Sequence, residues 1–408
     1  MRVRLGIIVV VVAIAGSQNL WCKPQAEGGP QRLGEQVWKI VDQKFLDSSY
    51  NHRDPRQIRD QLLAVANGDT TQTYAAVRST LQLLGDPQTR LLEPAQLAST
   101  IQEFDGAAGG VGVTEPWIVT AANSGELKLL HVTAESPAFK MGLRPGDVIE
   151  GIDGTPTKSL VLDEALMRIR GKVDSTVEMT IRRRHRRFQV RLTRKALTLH
   201  TVHTTLANEN GRTLGYLALT EFSASSAQEM HDALSDLLSR NAQGFVLDLR
   251  NNPGGFVPAS RDIANLFLGK QQRIYRSVDR TGIPKDTLSE GSAVTAKPVV
   301  VIMNRATASA AEMLVGALHD NHRATLIGTR TFGQGLIHSL QPLSDGSGLI
   351  VAVARFETPN GMEIHHRGIL PDYQVEGKEM DLGRQKADPQ YEMAVKVLLE
   401  KIAGMKES

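Results

Sequence analysis

Apolar and polar positions change their period twice along the chain. In the first hundred residues they recur at helical spacing. Val37, Ile40, Val41 and Phe45 fall on one face of a first helix. Asp54-Pro55 is a helix start signal ahead of Ile58, Leu62 and Val65, with Gly68 as the stop. Tyr74, Val77, Leu81 and Leu84 make a third face that ends at Gly85. From Phe104-Asp105-Gly106 the texture becomes that of short strands. Leu127, Leu129 and His131 alternate, and Ser136-Pro137-Ala138 opens a turn with a short helix. Turn residues over 142–147 precede a strand over 148–152, and a helix is expected over 163–169. Val177, Met179 and Ile181 alternate, as do Phe188, Val190 and Leu192, which predicts a hairpin.

Beyond about residue 196 strands and helices take turns. Strands are expected over 214–219, 245–249, 299–303, 325–327 and 349–356, the second and third wholly apolar apart from Asp248. A Ser226/Glu229 capping box opens a helix carrying Met230, Leu234, Leu237 and Leu238. Further helices are expected over 263–268 and 310–318, and a last one from 387 carries Met393, Val397 and Ile402. Such order predicts an α/β core with a central sheet, in a mixed α+β multidomain chain. The expected boundaries are a signal peptide over 1–22, a helical N-terminal region over 23–104, a β-rich domain over 105–195, the α/β core over 196–380 and a C-terminal helix over 381–408.

Composition narrows the class. The chain has 408 residues, 41% apolar and 22% charged, which is ordinary for folded domains and suggests two or three of them. A formal net charge of +3 is too small to point to nucleic acid. The basic run Arg182-Arg183-Arg184-His185-Arg186-Arg187 reads as the solvated tip of the hairpin, with contact to anionic lipid as the alternative. Arg2 and Arg4 precede an apolar stretch over 5–15, too short to span roughly 30 Å of hydrocarbon, with small residues at Ala13-Ile14-Ala15. That is an export signal, and membrane association is peripheral at most unless the signal stays uncleaved. Cys22 is the only cysteine, so no internal disulfide forms. Bulky Trp21 beside it argues against lipidation of that thiol.

Candidate chemistry lies where two apolar strands end, since ligands of open α/β sheets sit at carboxyl ends. One strand runs into Asp248 and then Asn252-Pro253-Gly254-Gly255, the other into Thr307-Ala308-Ser309-Ala310-Ala311-Glu312. The glycine pair is either a plain tight turn or a place where backbone amides approach a ligand. Ser309 is either an N-cap or a nucleophile with its hydroxyl exposed and the Ala310 amide beside it at a helix start. A serine nucleophile needs a base. Gln334 and His338 are four apart and, if extended, project on one face; only the histidine accepts a proton. His338 is otherwise a strand-face histidine. Neither His365-His366 nor His200/His203 has a carboxylate or cysteine nearby in sequence that would complete a metal site, so no metal and no organic cofactor is expected.

Taken together these motifs resemble the carboxyl-terminal processing peptidases, also called tail-specific proteases. Leu84-Gly85-Asp86-Pro87-Gln88-Thr89 is similar to the segment that precedes the PDZ domain there, with glutamine where histidine is usual. The segment over 110–193 resembles the PDZ domain itself. Thr331-Phe332-Gly333-Gln334-Gly335, Thr358-Pro359-Asn360-Gly361 and Gly368-Ile369-Leu370-Pro371-Asp372 complete the set in the family's order. The resemblance implies an exported serine endopeptidase, periplasmic or of the thylakoid lumen, that cleaves near the C-termini of unfolded or disordered protein tails. It implies Ser309 as nucleophile and the amides of Gly255 and Ala310 as oxyanion hole. The family's catalytic lysine falls at Gln334, and the glutamine that orients it falls at His338. The PDZ loop that captures a peptide carboxylate corresponds to Gly109, Gly110, Val111 and Gly112, with Arg168 and Arg170 on the PDZ helix. Gln334 leaves two readings open. Either His338 serves as base, directly or through a water, or the chain is an inactive pseudoprotease that binds tails.

Overall fold

The computed structural model describes residues 30–404 apart from 65–68, 105–106, 114–117, 121–125, 130–131, 133–135, 161–164, 166–167, 199, 292 and 378–387. The export signal expected over 1–22 lies outside the described residues, as do Val65, Gly68 and His131. The described chain divides into two compact units, residues 99–200 and the remainder.

Three expected helices open the larger unit: α1 (Pro30–Lys44), α2 (Pro55–Leu63) and α3 (Thr70–Gln82). Asp54 caps α2, its carboxylate accepting from the Arg56 amide, and Asp69 caps α3 in the same way through Gln72. Gly85, at φ 75°, turns the chain out of the last helix. The next two elements, β1 (Arg90–Leu92) and α4 (Pro94–Phe104), escape the sequence periodicity. Three residues show no period, and Pro94 is the only start signal there. Val37, Val41, Ile58, Leu62, Val77 and Leu81 share one buried cluster with Leu349 and Val351. The helices therefore close over a sheet of the core rather than forming a core of their own.

The unit over 99–200 is a small β-domain. It holds β2 (Ala107–Gly110), β3 (Ile118–Thr120), β4 (Leu127–Leu129), α5 (Pro137–Lys140), β5 (Val148–Ile152), β6 (Thr155–Pro156), β7 (Thr176–Arg183), β8 (Arg186–Thr193) and β9 (Lys195–Thr198). The predicted hairpin is β7–β8, in unbroken antiparallel register from Thr176↔Thr193 to Arg183↔Arg186. Its arginines are less solvated than expected. Arg182 bonds Glu126 and Glu150 and Arg183 bonds Asp147, both half-buried, while Arg184, His185, Arg186 and Arg187 are exposed, Arg187 still reaching Glu150. The helix expected over 163–169 lies partly outside the described residues; Ala165, Arg168 and Ile169 are helical.

The core continues the larger unit with β10 (Val202–Glu209), β11 (Arg212–Leu219), α6 (Ser226–Ser239), β12 (Phe245–Asp248), α7 (Val257–Asn265), β13 (Arg273–Asp279), β14 (Pro284–Leu288), β15 (Val299–Met303), α8 (Ala310–Asp320), β16 (Ala324–Gly328), β17 (Leu336–Pro342), β18 (Gly348–Glu357), β19 (Tyr373–Gln374) and α9 (Pro389–Gly404). The expected central sheet has the order β10-β11-β12-β15-β16-β19, parallel except for β10. A second sheet is not predicted by the sequence pattern: β1-β18-β13-β14, with β17 also paired to β18, all antiparallel. The capping box expected at Ser226 is displaced. Ser225 is the N-cap, and Glu229 reaches the amides of Thr201 and Val202 instead, tying the start of α6 to β10.

Candidate active site

Strands β12 and β15 are parallel neighbours, Asp248 opposite Ile302, so their carboxyl ends open side by side. Side chains stitch the two exit loops together. Thr307 Oγ1 donates to the Leu249 carbonyl, the Ala308 amide to the Asn252 carbonyl at 2.9 Å, and Asn304 Nδ2 to Asn251 Oδ1. The first loop returns at Gly254-Gly255 and leads into α7; the second turns sharply at Ser309 into α8. Ser309 holds φ 60° and ψ −119°, a conformation that a side-chain-bearing residue adopts at a cost of about 1–3 kcal/mol. Strain at a strand-to-helix turn is the usual setting of a nucleophilic serine.

Both glycines are required by close approach. A Cβ on Gly254 would stand 2.7 Å from Ser309 Oγ, and one on Gly255 would stand 2.3 Å from the Phe222 carbonyl. The same contact corrects one expectation. The Ser309 hydroxyl is not exposed: the residue is fully buried, because the Gly254 backbone lies against it. Ser309 is the N-cap of α8, in a capping box with Glu312, yet its buried Oγ makes no full hydrogen bond. Gly255 ends the first loop and Ala310 is the first residue of α8, so sequence-predicted donors and nucleophile belong to adjoining loops.

Glu312 organises the turn. Its buried carboxylate accepts from the amides of Ser309 (2.9 Å), Gly333 (2.7 Å) and Gln334 (2.8 Å), and from the Thr331 hydroxyl. Burial pushes this carboxyl up, against the opposing pull of those four donors. Sequence alone places Glu312 within the serine motif and assigns it no role. One glutamate thus fixes the serine turn and the loop that carries Gln334.

Gln334 and His338 do not share a strand face by alternation. Gln334 precedes β17, and the β17–β18 register shifts between Ile337 and His338, which breaks the period of two. His338 is fully buried, and its Nε2 lies 2.9 Å from Asp86 Oδ2. Its Nδ1 has no partner. Since Ser309 Oγ is also unpartnered, the two are not hydrogen-bonded to each other in this structure. Asp86 comes from the segment after α3. The Thr89 hydroxyl donates to its Oδ2 and the Gln88 amide to its Oδ1, while Thr89 Oγ1 itself accepts from Ala352 N of β18. Burial alone would raise the Asp86 carboxyl. The hydrogen bond and charge of His338 outweigh it, aided by Thr89 and Gln88, and hold the group below the usual carboxylate range. Gln88, at the position where the resemblance expects histidine, is turned to Arg90 at 2.6 Å. His365 lies within electrostatic reach of the same pair. Its Nδ1 is buried without a partner, and burial, then neighbouring His366, lower its pKa. Among the described residues no group of three His, Cys, Asp or Glu side chains stands where it could hold a metal ion.

In the small β-domain the residues expected to form a carboxylate-binding loop are divided. Gly109 and Gly110 end β2, paired with Ala196 and Lys195 of β9. Val111 is buried in the domain core and its carbonyl accepts from Ala138 N, at the start of α5. Gly112 turns the chain at φ 87°. Arg168 donates to Thr155 Oγ1 at 3.1 Å.

Residues 213–375 match Peptidase family S41, and residues 131–183 match a PDZ domain. A carboxyl-terminal-processing protease of Synechocystis sp. is 39% identical over 378 residues, 91% of this chain and 88% of the relative. The chain belongs to peptidase family S41. Within this family it is also similar to the carboxy-terminal processing protease CtpA of Bacillus subtilis, 29% identical over 91% of this chain and 76% of the relative. A solved photosystem II D1 C-terminal processing protease shares 35% identity at a TM-score of 0.61, covering 86% of this chain and 94% of that one. The S41 match spans the two strand ends, Ser309, Gln334 and His338, and the PDZ match spans β5, β6 and β7. This S41 chain is accordingly a peptidase of the C-terminal processing kind.

Proposed function

We propose that the chain is a serine-type endopeptidase that cleaves proteins near their C-termini through an acyl-enzyme at Ser309. The observation that carries this reading is the Ser309 turn: a strained serine at a helix start, held by Glu312, with Gly254-Gly255 against it. Ser309 Oγ attacks the scissile carbonyl carbon and gives its proton to His338 Nδ1. The carbonyl electron pair moves to oxygen, which the amides of Gly255 and Ala310 receive. The oxyanion collapses, the C–N bond breaks, and the leaving amine takes the proton from His338. Water then hydrolyses the ester by the same proton route. Because Ser309 Oγ and His338 Nδ1 are not bonded to each other, the proton crosses through a water or after the loops shift. Ser309 is buried in this geometry, so the surrounding loops move to let a substrate carbonyl reach its Oγ.

Gln334 sits where the family's lysine would stand and has no basicity, so general-base assistance, usually worth about 10²–10⁴-fold, falls to His338. The PDZ domain recruits the substrate's free C-terminus by strand addition, with Gly110 to Gly112 at the carboxylate and Arg168 nearby. The basic, apolar N-terminus directs export, to the lumen or periplasm in which such peptidases act on protein tails. No helix of the described residues is long and apolar enough to cross a membrane.

A peptidase assay on an unstructured protein, comparing the chain with Ser309→Ala, is the direct test. Turnover abolished in the variant is expected. Equal activity of both, at any level, rejects Ser309 as nucleophile.

A further inference from the structure

We propose that Asp86 is a positioning residue for the base: it fixes His338 as the tautomer with hydrogen on Nε2 and the lone pair on Nδ1. This rests on the reading of Ser309 and His338 above. A carboxylate offers only acceptors, so the 2.9 Å contact requires the hydrogen on Nε2. Nδ1 then carries a lone pair. A doubly protonated ring would leave Nδ1–H a buried donor without a partner, which His338, fully buried with Nδ1 unbonded, has no means of satisfying. The ring with hydrogen on Nε2 alone is the form able to take a proton at Nδ1.

The carboxylate is itself held firmly enough to orient a ring. Thr89 and Gln88 donate to its two oxygens, and Thr89 is anchored by the Ala352 amide of β18. β18 is also the strand on which β17 carries His338. Ring and carboxylate are thereby referenced to the same strand, although 252 positions separate them in the chain. The register shift beside His338 sets its pairing with Ala352, the residue whose amide holds Thr89. When Ser309 gives up its proton, Nδ1 gains it, and the resulting imidazolium faces a charged Asp86 through Nε2–H. The proton later leaves from Nδ1 to the amine, and Asp86 stays ionised throughout. The arrangement supplies by a histidine and an aspartate what a neutral lysine would supply at position 334.

Two measurements decide the matter. Nitrogen-15 spectra of the full chain labelled in histidine should show His338 protonated on Nε2 and bare on Nδ1 near neutral pH. Protonation of Nδ1 overturns the proposal, whether or not the chain cleaves anything; an inactive chain with the expected tautomer sinks the protease reading and leaves the positioning role intact. Asp86→Asn should lower kcat by about 10²–10⁴-fold with KM little changed and move the acid limb of the pH profile to lower pH, because the imidazolium loses its counter-charge. Asp86→Glu should recover part of the rate. A loss that scales the whole profile without moving the limb marks Asp86 as a structural tie and overturns the role. So does disappearance of the limb in His365→Gln, since His365 is the other titratable ring within electrostatic reach of the pair. Should Asp86→Asn fail to fold, the wild-type spectrum alone decides.

Discussion

At the scale of residues, Gln334 gives the sharpest prediction. It is nearly buried, and a lysine there would be desolvated enough to favour the neutral amine. With His338 as base, Gln334→Lys should change kcat/KM on an unstructured substrate only a few-fold; a gain of about 10²–10⁴-fold would mean that the amine is the missing base. Ser309 and the glycine pair are legible in the sequence because small residues at strand ends are a local signal. The closure of Gly254 over the hydroxyl is not, since it depends on two loops meeting. The partner of Asp86 is equally hidden, because nothing local links that carboxylate to a histidine 252 positions away.

At the scale of elements, the C-terminal helix is locked to the loop that carries the glycines. Arg250 bonds Asp248 in a bidentate pair and Asp388 at 2.6 Å, and Tyr216 donates to Asp248 at 2.7 Å. Burial alone would pull the Arg250 guanidinium down; Asp248 and Asp388 outweigh it and drive it up. Asp388 also caps α9 through the amides of Gln390 and Tyr391. Removing one partner of a buried pair costs about 3–5 kcal/mol. Asp388→Ala should therefore lower the urea midpoint by that equivalent and expose α9 to limited proteolysis; a midpoint within error of wild type would show that the clamp is slack. Apolar strands such as β12 and β15 are readable from burial on both faces. β10 is not, having no clean alternation, although Asn210-Gly211 between it and β11 is a hairpin signal.

At the scale of the molecule, charge groups of opposite sign set the response to pH. Asp86 and Asp320 are held below the ordinary carboxyl value of 3.8, so their stabilisation is present above it and is lost as pH falls through their folded values. Glu312 and His319 are raised, Glu312 by burial and His319 chiefly by Asp320. Their contributions are present below 4.5 and 6.5 and are lost as pH rises through the folded values. Stability should peak on the mildly acidic side of neutrality and decline below about pH 4. Urea midpoints that rise steadily toward pH 3 would contradict this balance. The α/β class, the PDZ-like unit and their order along the chain are visible in periodicity and motifs. The second sheet is not, because β1, the β13–β14 pair and the β17–β18 pair are brought together from three separate stretches.

The backbone of Ser309 has one practical consequence. Glycine would adopt that geometry freely and would also remove a buried hydroxyl that bonds to nothing. Thermal selection among random variants would thus enrich Ser309→Gly and retain well-folded chains that lack the proposed nucleophile. Directed evolution of this scaffold for heat tolerance needs cleavage, rather than survival, as its readout.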